Sequence, residues 1–375
     1  MITFILCIKN RINYLKKAIL VTYPDKFVIQ EALGLAEAAD YKVIKLVTQK
    51  YLLRAKYGIG SGKAEELKNM IKGINIDAIL FDEKLRSVQI YNLAKLTGVE
   101  VIDRERLILE IFNKRASSAE AKLQVQLAEL KYEIPRAREK VRLAKIGEQP
   151  GFFGLGRYDV DDYYRMIRRR IAVIMKKLKQ VSKRRELYRS KRLKVNLPLI
   201  SFAGYTGAGK TSLFNILVRE SKDIGKGLFT TLTTTTRSLK LSESKVLISD
   251  TVGFISRLPP YMIEAFKATL EELTYANLIL LVIDASEPLE NMIRKYQSCV
   301  NILAELGVSP LNILPIFNKF DLTNMDEIKE KMKVLNMIPE DVVITSAKTS
   351  YGIDMLISKI NEMIYTRSLT KSALL

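Results

Sequence analysis

The chain has 375 residues, a net charge of +20 and 48% apolar residues. That length exceeds what a single hydrophobic core usually serves, so we expect two or three domains. The excess of positive charge favours a polyanionic partner, such as nucleic acid, an anionic membrane or free phosphates. The sequence contains no histidine, which excludes Ser-His and Cys-His catalysis and histidine-ligated metals.

The two cysteines and the lack of long apolar runs bear on where the protein works. Cys7 and Cys299 lie far apart, which favours a reducing, cytoplasmic environment without structural disulfides. No run of about 18 apolar residues occurs, so we expect no membrane-spanning helix. The segment Met1–Ile8 is apolar but short, and basic residues follow it. We therefore interpret it as an edge strand or a loose terminus and not as a signal peptide.

Residues 1–112 are predicted to form a small α/β domain. Apolar runs and helical spacing alternate along this part of the chain, which is typical of a sheet with helical crossovers. The predicted strands are Ala18–Thr22, Lys42–Thr48, Ala78–Asp82 and Val99–Asp103, and the predicted helices are Asp25–Ala39 and Glu65–Ile71.

Residues 113–194 have a different character. Helical periodicity runs on both sides of the glycine-rich stretch 151–156, with Ile134-Pro135 as a further interruption. We predict two long helices packed as an antiparallel hairpin. This segment holds 24 Lys and Arg against 9 Asp and Glu, so it carries most of the net charge.

Residues 195–366 return to alternating strands and helices, and 367–375 are expected to form a frayed tail. The predicted strands are Leu199–Ala203, Lys245–Asp250, Leu278–Asp284, Asn312–Asn318 and Val342–Ser346. Five strands with intervening helices predict a doubly wound α/β domain, which binds its ligand at the carboxyl ends of the strands.

Residues 204–211, GYTGAGKT, match the phosphate-binding loop in full and lie between an apolar strand and a helix start, which predicts a domain of the P-loop NTPase class. Its glycines let main-chain amides surround phosphates. Lys210 should neutralise the β and γ phosphates, and the Thr211 hydroxyl should bind Mg²⁺. The residues expected to contact nucleotide here are Gly204, Tyr205, Thr206, Gly207, Ala208, Gly209, Lys210, Thr211 and Ser212.

The motif Asp250-Thr-Val-Gly253 ends the next apolar strand. Asp250 can hold Mg²⁺ through water, and the amide of Gly253 can contact the γ-phosphate. Phe254 follows, where many GTPases have a water-orienting glutamine, so we expect slow hydrolysis unless a partner completes the site. The alternative for Phe254 is a residue that packs into the core.

The motif Asn318-Lys-Phe-Asp321 and the loop Ser346-Ala-Lys348 select the base. The Asp321 carboxylate can accept hydrogen bonds from guanine N1–H and the 2-amino group, which adenine lacks, and unpaired buried polar groups discriminate strongly. Lys319 can lie along the base, and the Ala347 amide can bind guanine O6. We therefore expect GTP and GDP as ligands.

The threonine run 230–236 should contain a switch threonine that completes the Mg²⁺ site in the GTP state. The alternative is an exposed β-branched edge strand, and both can hold for different residues of the run. The run itself does not show which threonine is the ligand. A second glycine-rich segment, Gly58–Lys63, resembles a phosphate loop, but Tyr57 occupies the first glycine position and Ala64 replaces Ser/Thr. We interpret it as a glycine turn.

These motifs resemble the HflX family of ribosome-associated GTPases. The resemblance lies in residues 204–215, 250–255 and 265–272, and in the amino-terminal segments 60–67, 101–104 and 115–127, so it covers about residues 18–365. It implies a GTPase that acts at the large ribosomal subunit in splitting, rescue or recycling, and some capacity of the amino-terminal domain to bind purine nucleotides.

The resemblance also assigns residues in the switch segment. Thr231 would be the switch threonine that joins Lys210 and Gly253 in catalysis, and Phe229 and Thr230 would contact nucleotide beside it. The family has Ala-Thr-Leu-Asp-Pro where this chain has residues 230–234, TTLTT, and it has Pro-Gly-Glu-Thr-Gln-Leu-Glu where this chain has Tyr158–Tyr164. The shape of the switch loop can therefore differ from that in the family, and contacts specific to the loop Tyr158–Tyr164 are not carried over.

Three functions follow from the sequence. The first is a monomeric GTP switch that binds ribosomal RNA through the basic helical segment. RNA is favoured over a membrane because those helices lack the Trp and the broad apolar face of a lipid-binding helix. The second is a helicase-type RNA remodelling enzyme, which the guanine-selective motif argues against. The third is an RNA-binding module in which the nucleotide is only structural, and GTP turnover would exclude it.

Overall fold

The computed structural model describes residues 15–145, 157–219 and 228–373, apart from 53, 55, 196, 233 and 242–244. The expectations for Met1–Ile8 and for the glycine-rich stretch 151–156 lie outside the described residues. The chain divides into two compact units, the first made of residues up to 114 with 132–167, and the second made of 115–131 with 168–375. In the part that is described, no helix is long and apolar enough to cross a membrane.

The first unit is built on a parallel sheet with the strand order β2-β1-β3-β4. Its strands are β1 (Lys16–Thr22), β2 (Tyr41–Thr48), β3 (Ala78–Phe81) and β4 (Glu100–Asp103), and its helices are α1 (Lys26–Ala38), α2 (Ser61–Ile71), α3 (Ser87–Thr97) and α4 (Arg104–Arg115). Ile19, Ile79 and Phe81 are buried in a core with side chains of α2 and α3. The alternation of strands and helices matches the sequence prediction, which lacked α3 and α4.

The carboxyl edge of this sheet is filled by ion pairs. Arg104 lies 2.5 Å from both Asp82 and Glu31, and Arg136 lies 2.6 Å from Asp103. All five side chains are buried. Since buried charges persist only when they are paired, these contacts fix helix α4 and the residues around Arg136 against the ends of β3 and β4, the edge where open α/β sheets usually bind ligands.

Two long helices follow, α5 (Ala119–Lys145) and α6 (Arg157–Lys194). Pro135 lies inside α5 and does not end it. The predicted hairpin 113–194 does not form a compact unit of its own, because the unit boundaries fall inside both helices. Within the second unit, Arg185 of α6 pairs with Glu120 of α5 at 2.6 Å, so the start of α5 lies beside the end of α6, as in an antiparallel pair.

The second unit contains a six-stranded sheet with the order β10-β9-β8-β5-β7-β6. Its strands are β5 (Leu199–Gly204), β6 (Thr235–Lys240), β7 (Lys245–Asp250), β8 (Leu278–Asp284), β9 (Ile313–Asn318) and β10 (Val343–Ile344). Its helices are α7 (Lys210–Val218), α8 (Pro260–Ala265), α9 (Lys267–Thr274), α10 (Leu289–Glu305), α11 (Met325–Val334) and α12 (Ile353–Ala373).

This sheet has one strand more than the five that were predicted. Strand β6 pairs antiparallel with β7, while the other pairs are parallel. It begins at Thr235, so the end of the threonine run is an edge strand, as one of the two alternatives held. Helix α12 continues to Ala373, and the chain is thus helical where a frayed tail was expected.

The sheet positions the site because β5, β7, β8 and β9 run in the same direction. Many of their apolar residues, including Phe202, Ile248 and Leu280, are fully buried. Their carboxyl ends bring Gly204, Asp250, Asp284 and Asn318 to one edge of the sheet, the edge at which doubly wound folds bind ligands.

Candidate active site

The phosphate loop joins β5 directly to α7. Gly209 has a φ of +97° and lies so close to the side-chain amide of Asn318 that any Cβ would overlap it. Only glycine meets both conditions without strain. The loop therefore has the backbone that the motif predicts, and its amides lie at the start of α7, where the helix dipole favours an anion.

Lys210 is buried inside this loop. Its Nζ donates hydrogen bonds to the carbonyl oxygens of Gly204 at 3.0 Å and of Tyr205 at 2.9 Å. Burial lowers the pKa of Lys210 to about 8, and the nearby Asp250 carboxylate offsets part of that effect. The lysine ammonium and the loop amides line one cavity of about 240 Å³, which can take a phosphate chain.

The three oxygen groups predicted to hold Mg²⁺ meet at one point. The Thr211 and Thr231 hydroxyls each donate to Asp250 Oδ2 at 2.9 Å, and the two hydroxyl oxygens are also 2.9 Å apart. Thr231 is 7% exposed, which distinguishes it from its half-buried neighbour Thr230. Of these two threonines, Thr231 is the one whose hydroxyl lies beside Thr211 and Asp250.

The oxygen atoms of Thr211, Thr231 and Asp250 suit a magnesium ion. Asp250 is fully buried, and its Oδ1 has no hydrogen-bond partner among the described residues. An unpaired buried carboxylate oxygen is costly unless it meets a cation or an ordered water. Hydroxyl and carboxylate oxygens are the ligands that Mg²⁺ prefers. Thr211, Thr231 and Asp250 therefore have the chemistry to hold this ion.

The segment after Asp250 runs alongside the phosphate loop. A Cβ on Gly253 would lie 2.9 Å from Thr206 Cα and 3.0 Å from Lys210 Nζ, so glycine is required here. Phe254 is 2% exposed, its carbonyl accepts from Thr206 N at 2.8 Å, and its amide donates to Gly204 O at 3.1 Å. Phe254 therefore packs into the core, as the alternative interpretation held.

The base-selecting motif is assembled from the ends of β9 and β10. Asp321 accepts a hydrogen bond from the Ser346 hydroxyl at 2.6 Å, and Lys348 lies 4.0 Å from its other oxygen. Lys319 pairs with Asp284 at 2.5 Å. The carboxylate of Asp321 is therefore fixed in place, with the loop Ser346–Lys348 beside it.

Asn318 has a role that sequence reasoning missed. Its side-chain amide donates to Ala208 O at 2.9 Å, and its carbonyl oxygen accepts from Ala347 N at 3.1 Å. Asn318 is 1% exposed, so these two bonds connect the phosphate loop to the base loop, Ser346–Lys348, inside the protein. Asp284, the partner of Lys319, was missed as well, although its position at the end of an apolar strand could have identified it.

We expect Asn318→Ala to lower the free energy of unfolding by about 2–4 kcal/mol, because it leaves the buried carbonyl of Ala208 and the partly buried amide of Ala347 unpaired. Chemical denaturation measures this change. Asn301→Ala, at an exposed position on α10, is the control and should change the same quantity by less than about 0.5 kcal/mol. Equal stability of the two variants would contradict the bridging role.

The second glycine-rich segment does not form a phosphate loop. Arg54 and Gly58 exchange two main-chain hydrogen bonds, and helix α2 begins only at Ser61. Lys63 lies in that helix and pairs with Glu66 at 2.8 Å. The segment is a glycine turn followed by a helix, as predicted.

Comparison with known proteins places these features in a family. Residues 27–113 match the family "GTP-binding GTPase N-terminal", residues 115–192 match "GTP-binding GTPase Middle Region", and residues 199–319 match "50S ribosome-binding GTPase". The GTPase HflX of Methanocaldococcus jannaschii is 44% identical over 88% of this chain and 82% of its own length. The GTPase HflX of Thermococcus kodakarensis is 40% identical over 88% and 76%.

Solved structures give the same result. The complex of SsGBP with GDP matches with a TM-score of 0.55 and 31% identity, covering 94% of this chain and 99% of that one. A GTP-binding protein from Sulfolobus solfataricus in complex with GDP matches with a TM-score of 0.50 and 30% identity, with the same coverage. With the phosphate loop, Lys210 and the guanine-selecting motif gathered at one edge of the sheet, this chain binds and hydrolyses GTP and belongs to the HflX family of GTPases.

Proposed function

We propose that this chain is a magnesium-dependent GTP switch that works in the cytoplasm as a monomer. It associates with the large ribosomal subunit through ribosomal RNA and acts in ribosome splitting, rescue or recycling. The similarity to a family described as "50S ribosome-binding GTPase" supports the partner. The observation that carries the proposal is the basic outer face of α6.

That face is defined here by Arg169, Arg170, Lys176, Lys177, Lys183 and Arg184, all of which are exposed. The opposite side of the helix is apolar, and Ile174 on it is 9% exposed. An exposed row of Lys and Arg on a rigid helix matches the spaced phosphates of structured RNA. Val173 and Met175 are exposed among the charges, but they do not form the broad apolar face of a lipid-binding helix.

The site residues act on the nucleotide through charge and position. The Lys210 ammonium offsets negative charge on the β and γ phosphates, and the loop amides hold them in place while water attacks in line. A Mg²⁺ ion held by Thr211, Thr231 and Asp250 would supply further positive charge to the phosphoryl oxygens. Asp321 binds the base, and the amide of Gly253 reaches the γ-phosphate.

No polar side chain follows Gly253 to orient the attacking water, because Phe254 is apolar and buried. Turnover by the isolated chain is therefore slow, and the ribosome completes the site. In this scheme the segments around Thr231 and Gly253 are ordered with GTP and relax after hydrolysis.

Cosedimentation with separated ribosomal subunits tests the proposal, with GDP or a non-hydrolysable GTP analogue present. We expect binding to the large subunit with the analogue. Arg169→Glu combined with Lys176→Glu should weaken it and reduce the slope of log affinity against log salt by about 2. Lys329→Glu with Lys333→Glu, an equal charge change at exposed positions on α11, is the matched control.

The two outcomes that contradict the proposal are distinct. Failure to bind either subunit in both nucleotide states would remove the translational role and leave the GTPase activity intact. Equal weakening by the α6 and α11 variants would show that net charge, and not the basic face of α6, governs binding.

A further inference from the structure

Thr206 is a phosphate-loop residue that bonds to both flanking switch segments, as Thr211 does at the other end of the loop. Its main-chain amide donates to the carbonyl oxygen of Phe254 at 2.8 Å, after the Asp250–Gly253 motif. Its side-chain Oγ1 accepts a hydrogen bond from the amide of Phe229 at 2.8 Å. Thr206 is 7% exposed, so neither bond competes with bulk water.

The residue that Thr206 holds has an unusual backbone. Phe229 has a φ of +57°, in the left-handed region that residues with a Cβ rarely adopt. Such a conformation persists only when surrounding contacts hold it. Contacts of this kind are present here, because the Phe229 side chain is 1% exposed and its amide is bonded to the Thr206 hydroxyl.

The conformation of Phe229 determines where Thr231 lies. Only Thr230 separates them, so a change in the backbone at Phe229 displaces Thr231 from its bonds to Thr211 and Asp250. Thr206, Phe229 and Thr231 all line the cavity that holds Lys210 and Gly253. The chain of contacts therefore runs from the Thr206 hydroxyl through Phe229 to Thr231.

We propose that the Thr206 hydroxyl is a positioning group for GTP hydrolysis: it holds Phe229 in its left-handed conformation and so places Thr231 beside Thr211 and Asp250. This role belongs to the side chain and is separate from any contact of the Thr206 amide with nucleotide. The amide stays in every variant at this position, so the hydroxyl can be tested by itself.

The test compares Thr206→Val, which keeps the shape and removes the hydroxyl, with Thr206→Ser, which keeps the hydroxyl and removes the methyl group. We expect Thr206→Val to lower kcat for GTP by about tenfold, as the loss of one buried hydrogen bond implies, with KM for GTP and the affinity for GDP within about threefold of the parent. Thr206→Ser should keep the kcat of the parent chain. Thr206→Ala repeats the test with a smaller side chain if the valine variant folds poorly.

Hydrogen–deuterium exchange of the Phe229 amide is a second readout that does not depend on turnover. We expect exchange at this amide to become faster in the valine and alanine variants and to stay slow in the serine variant. Three results would overturn the proposal: an unchanged kcat in the valine variant, a serine variant as impaired as the valine variant, or a loss of GDP affinity as large as the loss of kcat. The last would show that the substitution damages the phosphate loop itself.

Discussion

Replacing Lys210 by alanine is expected to lower GTP turnover by about a thousandfold or more. The reason is electrostatic. The ammonium is buried within the phosphate loop, where it bonds to two loop carbonyls, and a charge in a water-excluded site stabilises developing negative charge far more than an exposed one. No other lysine or arginine lines the cavity next to the loop amides except Lys319, within the described residues, and Lys319 is paired with Asp284.

Single-turnover hydrolysis of radiolabelled GTP measures this effect without interference from slow product release. The matched control is Lys63→Ala, which removes the lysine of the second glycine-rich segment, and it should leave turnover within about twofold because Lys63 pairs with Glu66 on the surface of α2. Turnover of the Lys210 variant within tenfold of the parent would mean that the charge of this lysine does not act on the phosphates. That result would not bear on whether residues Asn318–Asp321 select guanine.

Motifs with a fixed spacing were predictable from the sequence because their chemistry is local. Each of these motifs lies at the end of an apolar strand: the glycines and Lys210 of the phosphate loop after β5, Asp250 at the end of β7, and Asp321 after β9. Parallel strands bring their carboxyl ends to one edge of the sheet. The meeting of Thr211, Thr231 and Asp250 follows from that rule together with the family resemblance. The threonine run alone offered several equivalent candidates.

Contacts between distant segments were not predictable in the same way. The bond between Phe229 and Thr206 depends on a positive φ at a phenylalanine, for which the sequence has no signal. Asn318 was assigned to the nucleotide, and its bonds to Ala208 and Ala347 had no signal in the sequence. Both cases are side-chain to main-chain bonds across the sheet edge, and their partners become visible only when the strands are assembled.

The compact units of the chain depend on contacts between distant segments for the same reason. The periodicity of α5 and α6 indicates two long helices but not which core each end joins, so the division at residues 131 and 167 could not be read from it. Pro135 was taken as an interruption. It lies within α5, where the surrounding contacts, including the buried Arg136–Asp103 pair, compensate for the lost main-chain hydrogen bond.

Asp321→Asn is expected to weaken GTP binding by about a hundredfold or more and to relax the preference for guanine. The carboxylate can accept from both N1–H and the 2-amino group of guanine, and each bond to a charged group contributes about 1.5–3 kcal/mol. The side chain is held by the Ser346 hydroxyl at 2.6 Å, so an asparagine at this place would keep one acceptor, lose the charge and present an NH₂ group. That group would donate to the 2-oxo oxygen of xanthine, so XTP should bind better than it does to the parent chain.

Competition of GTP, XTP and ATP against a fluorescent guanine nucleotide measures the change in preference. Asp326→Asn is the control, because it makes the same chemical change at an exposed position on α11 and should alter none of the three affinities. Loss of GTP affinity without a gain for XTP would indicate a collapsed base loop, which the stability of the Asp321 variant would reveal. An unchanged preference for GTP over both XTP and ATP would show that Asp321 does not read the base, and the guanine specificity would then have to come from the main chain around Ala347.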